Sequence, residues 1–66
     1  MGKTIALTAT GGHLWSIEED GTLYMTDKNG GYIQVGEKGQ YRGTEMLIGL
    51  DGHLYTVEQG TLYRTR

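Results

Sequence analysis

The chain contains no cysteine and no proline. Without cysteine, disulfide bridges and thiolate zinc sites are excluded, and two histidines alone argue against a structural metal site. There is also no basic stripe: the six Lys and Arg are scattered and the net charge is −2. A phosphate backbone would find little to neutralise it, so nucleic acid is not an expected partner. Long apolar runs are missing too. The longest, Met46–Leu50 counting its glycine, is five residues, far short of a membrane span, so no membrane insertion is expected. The opening MGKTIALTATGG does not read as a signal peptide. Met1-Gly2 resembles a myristoylation start, but Ala6 stands where that pattern wants Ser or Thr. Compartment stays open.

Sixty-six residues make at most one domain, and a chain this short buries only about 60% of its unfolded surface. Small folds persist through disulfides, metals or oligomerisation. With the first two set aside, oligomerisation is the expected route to a larger core.

What is abundant is glycine, 12 residues, set at turn spacing among Ile, Leu, Val, Tyr and Thr. The chain also repeats itself. Gly12–Asp27 reads GHLWSIEEDGTLYMTD and Gly52–Arg66 reads GHLYTVEQGTLYRTR, an offset of 40 that falls to 39 once Asp20 is skipped. Nine of the 15 aligned pairs are identical, among them His13/His53, Leu14/Leu54, Thr22/Thr61 and Leu23/Leu62. A repeat of about 40 residues built from β-type segments has the length of a propeller blade.

Seven strand-like segments follow from the punctuation: Thr4–Thr10, His13–Glu18, Thr22–Thr26, Tyr32–Val35, Glu45–Leu50, His53–Glu58 and Thr61–Thr65. Asp20-Gly21, Asn29-Gly30 and Asp51-Gly52 are strong hairpin signals, so adjacent segments should pair antiparallel. No window has helical periodicity. Apolar residues alternate onto both faces: Leu14 against Trp15 and Ile17, Tyr24 against Leu23 and Met25. A sheet with one wet face shows one clean apolar side; apolar residues on both faces suit a sheet held between neighbours, as in a propeller ring.

The expected fold is therefore all-β, with antiparallel β-propeller blades, about 1.75 four-stranded blades per chain. Residues 1–40 form a first blade and 41–66 a second, truncated one. Sheets left with open edges and apolar faces invite association, so copies are expected to close a ring with cyclic symmetry. A trimer is favoured and a tetramer comes second. The competing fold is a monomeric seven-stranded barrel.

The runs Gly52-His53-Leu54-Tyr55-Thr56-Val57, Leu62-Tyr63-Arg64 and Ile33-Gln34-Val35-Gly36-Glu37-Lys38-Gly39 resemble blades of the tachylectin and tectonin β-propeller lectins. The repeat here is shorter, and Gln40-Tyr41-Arg42-Gly43 stands where that family carries a Trp-containing linker. The resemblance implies carbohydrate binding in pockets between blades, often of amino sugars.

The most site-like stretch is the crossover GEKGQYRG, Gly36–Gly43. Tyr41 is expected to stack on a sugar ring, while Glu37, Gln40 and Arg42 hydrogen-bond its polar groups, with Asp20 on the neighbouring turn. The alternative is a crossing that is merely solvated. His13 and His53 read as strand-starting residues packed beside hairpins, or as a ring of imidazoles. Trp15, Tyr55, Tyr24 and Tyr63 read as packing between sheets. Glu18-Glu19-Asp20 reads as a solvated acidic turn without calcium-loop spacing. No catalytic group emerges: Ser16 lies within a strand, not on a nucleophile elbow, and no cofactor motif is present. The expected function is a carbohydrate-binding, homo-oligomeric propeller. The alternative is a structural or protein-interaction propeller, natural, fragmentary or designed, with no sugar ligand.

Overall fold

A computed structural model describes residues 3–66; the Met1-Gly2 reading and the first two residues of segment 1–40 lie outside it. The described chain is all-β, with no helix. Its strands are β1 (Thr4–Thr10), β2 (His13–Glu18), β3 (Leu23–Thr26), β4 (Tyr32–Val35), β5 (Thr44–Leu50), β6 (His53–Glu58) and β7 (Thr61–Arg64). They form two antiparallel meanders, β1-β2-β3-β4 and β5-β6-β7. No ladder joins the two sheets among the described residues, so the chain does not close into a seven-stranded barrel.

Local chemistry sets these boundaries. The β5–β6 hairpin turns on Asp51 and Gly52, at φ 50° and 83°. This left-handed pair matches strand twist. The third strand begins at Leu23, one residue later than the segment expected from sequence, because Thr22 is spent on the turn: its N–H donates to Asp20 Oδ1 at 3.0 Å. β5 starts one residue early, since Thr44 already pairs with Glu58. Both first strands carry the same irregularity, a register shift between Thr4 and Ala6 and another between Thr44 and Met46. The duplication is thus kept down to its bulges.

Register divides each sheet into two faces. In the first sheet, Ala6, Ile17, Leu23 and Val35 share one face, as do Thr8, Trp15, Met25 and Ile33. The opposite face carries Leu7, Ser16, Tyr24 and Gln34 in one row and Ala9, Leu14, Thr26 and Tyr32 in the next. In the second sheet, Met46, Val57 and Leu62 lie with Ile48, Tyr55 and Arg64, opposite Leu47, Thr56, Tyr63, Gly49 and Leu54.

The sheets join through one seam. Ile17 and Leu23 of the first sheet and Leu47 and Leu54 of the second are buried together with Tyr41, and Ala6, Trp15 and Val35 pack on this cluster. β1 and β5 make the main strand-to-strand contact across it. The approach is close enough that a Cβ on Gly49 would lie 2.6 Å from the Thr10 Cβ, so glycine is required there. Two threonines on β1 fasten the seam: Gly49 N–H donates to Thr8 Oγ1 at 3.0 Å and Gly52 N–H to Thr10 Oγ1 at 2.7 Å. The Trp15 indole donates to the Thr10 carbonyl at 3.1 Å, which fits the packing role expected of this aromatic.

Candidate crossover-loop site

The segment from Gly36 to Gly43 leaves β4, crosses the seam and enters β5. It is not a free solvated loop. Tyr41 N–H donates to the Gly21 carbonyl at 2.8 Å and Gly39 N–H to Thr22 Oγ1 at 3.0 Å. Both tie it to the β2–β3 turn. Internal bonds shape the rest: Gln40 N–H to the Glu37 carbonyl, Arg42 N–H to the Gly39 carbonyl, and Glu37 N–H to Gln40 Oε1 at 3.0 Å. Gly21 sits directly under the loop, where a Cβ would lie 2.5 Å from Arg42 N.

The structure therefore brings Asp20, Glu37, Gln40, Tyr41 and Arg42 to one end of the seam, but it gives Tyr41 a different task. Tyr41 is only 3% exposed. Its hydroxyl pairs with Thr65 Oγ1 at 2.9 Å and accepts from Arg66 Nε at 3.2 Å. A ring covered by both sheets offers no face to a sugar, so the stacking platform expected of Tyr41 is corrected to a core wedge. The sheets meet at β1 and β5, and this aromatic helps fill the space between them. Glu37, Gln40 and Arg42 remain exposed.

Asp20 is held below the usual aspartate range. The Thr22 hydroxyl beside it contributes most, then the Thr22 backbone N–H; a burial cost opposes them, and the charges of Lys38 and Arg42 add the smaller remaining contributions. The Thr22 side chain is fully buried and also accepts from Gly39 N–H, so it couples the acidic turn to the crossover. No family model, curated protein or solved structure matches the chain. The site stands on its own geometry.

Sequence reasoning missed Arg66 and Thr22. Arg66 comes to the loop only through folding: besides its bond to Tyr41, a Cβ on Gly36 would lie 2.6 Å from its Nη2. Thr22 carries a signal in the sequence, as one of the identical repeat pairs, but its place at the head of a strand-like segment hides its part in the turn. The acidic turn also needs correction. Glu18 is not solvated: it is 2% exposed, and its Oε2 accepts from Thr4 Oγ1 at 2.7 Å. His13 packs edge-on against Trp15, ring centroids 6.3 Å apart, as expected of a residue beside a hairpin.

Two open concavities lie away from this loop. One of about 430 Å³ is lined by Ala9, Thr10, Gly12, His13 and Leu14, with Thr26 through Lys28 on its rim, at the other end of the first sheet. The second, of about 390 Å³, is formed by Ile48, Leu50, Tyr55 and Leu62.

Proposed function

We propose that the chain is a carbohydrate-binding unit of a β-propeller, two consecutive blades that reach a closed ring by association with further copies. The ring reading draws on the duplicated meanders and on the way they pack, inner strand to inner strand. A trimer of about six blades is favoured over a tetramer of about eight. The single observation that carries the binding reading is the gathering of Gln40 and Arg66 at Gly36, and of Asp20 and Arg42 at Gly39, along the crossover loop. It combines a carboxylate acceptor, an amide and guanidinium donors, the groups that hydrogen-bond sugar hydroxyls and acetamides. Its backbone is fixed by Thr22 and Gly21, so little ordering is needed on binding. Resemblance to tachylectin and tectonin blades supports the ligand class and points to amino sugars. Each site is shallow and weak by itself; repetition around a ring converts this into avidity.

Glycan-array binding with the fluorescent protein tests the reading, followed by calorimetry with N-acetylated amino sugars. Arg42→Ala and Asp20→Asn should abolish the signal while leaving the assembly mass unchanged. Absence of binding to any sugar at roughly millimolar concentration, the weak end of specific affinity, would sink it. The burial of Tyr41 favours a second reading, a propeller that presents protein-interaction surfaces without a sugar ligand. In that case the wild-type chain and both variants alike would bind no glycan.

A further inference from the structure

Among the described residues, the ten large apolar side chains that stay exposed are not scattered. Leu7, Leu14 and Tyr32 lie on the uncovered face of the first sheet, with Ile5 next to them in the bulge. Met46, Ile48, Leu50 and Leu62 lie on the uncovered face of the second. Ile33 and Tyr63 are near the outer edges. Both uncovered faces have a repeat-equivalent that is already buried. Leu7 and Leu14, 63% and 46% exposed, correspond to Leu47 and Leu54, 7% and 0%. Leu62, 68% exposed, corresponds to Leu23 at 0%. The seam within the chain joins the Leu23 face to the Leu47–Leu54 face, so the molecule carries one more copy of each half, unjoined.

We propose that a second copy of this chain completes the pair: the Met46–Leu62 face of one molecule docks head-to-tail on the Leu7–Leu14 face of the next, repeating the internal seam. Both concavities then have an occupant. Residues Ala9, Thr10, Gly12, His13 and Leu14 of the first correspond to Gly49, Leu50, Gly52, His53 and Leu54. In the existing seam, Thr10 and Gly11 fill that place, lying against Gly49 and Gly52. Across the new seam the equivalent residues are Leu50 and Asp51 of the neighbour. The second concavity, built from Ile48, Leu50, Tyr55 and Leu62, matches Thr8, Thr10, Trp15 and Leu23, which already face the Leu47–Leu54 side.

The two seams differ in chemistry. Thr8 and Thr10, which accept backbone hydrogen bonds in the internal seam, become Ile48 and Leu50. Gly49, which has no room for a Cβ, becomes Ala9. The intermolecular seam is therefore drier and slightly wider, held by apolar contact rather than by hydroxyls. A heterologous contact of this kind closes into a ring or runs on as an open array. Only the closure rests on the ring reading above.

Complementation tests it. Leu62→Arg and Leu7→Arg each place a charge on an exposed position, so each variant should keep the wild-type circular dichroism spectrum. Each alone should sediment as a monomer, with self-association weakened by roughly a hundredfold or more, as expected for a charge buried without a partner. Mixed in equal amounts they should form a 1:1 pair, because each retains the face the other has lost. Leu50→Asp with Leu14→Asp should repeat the result. A wild-type chain that stays monomeric, a mixture that stays apart, or either single variant still pairing with itself would overturn the proposal. Open ladders of wild-type chains would support the seam while removing the closed ring. Failure to bind sugar would leave the seam untouched.

Discussion

The β2–β3 and β6–β7 turns are the same turn in two settings. Gly21-Thr22-Leu23 and Gly60-Thr61-Leu62 are identical triplets, and both glycines adopt positive φ. Yet Gly21, Thr22 and Leu23 are buried, and Gly60, Thr61 and Leu62 are exposed. The difference lies in what covers them. The crossover loop bonds to Gly21 and Thr22 and packs on them, and the second sheet covers Leu23. Local sequence determines that a strand or a turn forms; the neighbouring layer determines whether it belongs to a core.

Substitutions at matched positions should therefore diverge. The largest effect is expected for Leu54→Ala, which opens a cavity in the seam and should cost about 2–5 kcal/mol in urea unfolding at any protein concentration. Leu14→Ala, its repeat-equivalent, should cost the isolated chain under about 1 kcal/mol and act mainly on concentration-dependent association. Equal losses at low concentration would break the comparison. Next comes Gly21→Ala. It combines an unfavourable φ with a clash against the Arg42 backbone, for roughly 2–4 kcal/mol. Gly60→Ala meets no atom within 4 Å and should show only the conformational cost, about 1–2 kcal/mol.

Thr22→Ala leaves Gly39 N–H without its acceptor and should cost about 1–3 kcal/mol. Thr61→Ala should stay within about 0.5 kcal/mol, and similar thermal midpoints for the two variants would contradict the covering role of the loop. The smallest effect concerns acid. Because Asp20 is depressed in the folded chain, its contribution is in place above the unfolded aspartate pKa and fades as pH falls through the folded one. Asp20→Asn should flatten this acid limb of the stability profile. An unchanged limb would mean that the Thr22 contacts do not stabilise the charged form.

Most of the strand pattern was legible in the sequence, because glycine and Asp-Gly punctuation act locally. His13–Glu18, Tyr32–Val35 and His53–Glu58 match the expected segments residue for residue. The two-sided alternation also carried the packing, although only one face of each sheet finds its cover within the chain. Tyr41 was misjudged because its loop is polar, and nothing within eight residues reveals that Thr65 and Arg66 meet its hydroxyl. Glu18 was misjudged for the same reason: its neighbours Glu19 and Asp20 suggest water, while Thr4, fourteen residues away, takes it inside. Composition singles out the crossover loop, and the same polar signal hides the burial of its one aromatic residue.

The paired sheets have an arithmetical consequence. Each molecule contributes its meanders two at a time, so any circle built purely from this polypeptide holds an even number of them. Five- and seven-membered circles are out of reach whatever the wedge angle between layers. In such a circle the threonine-fastened joints within molecules would alternate with the proposed oilier ones between them, and strain would open it first at the latter.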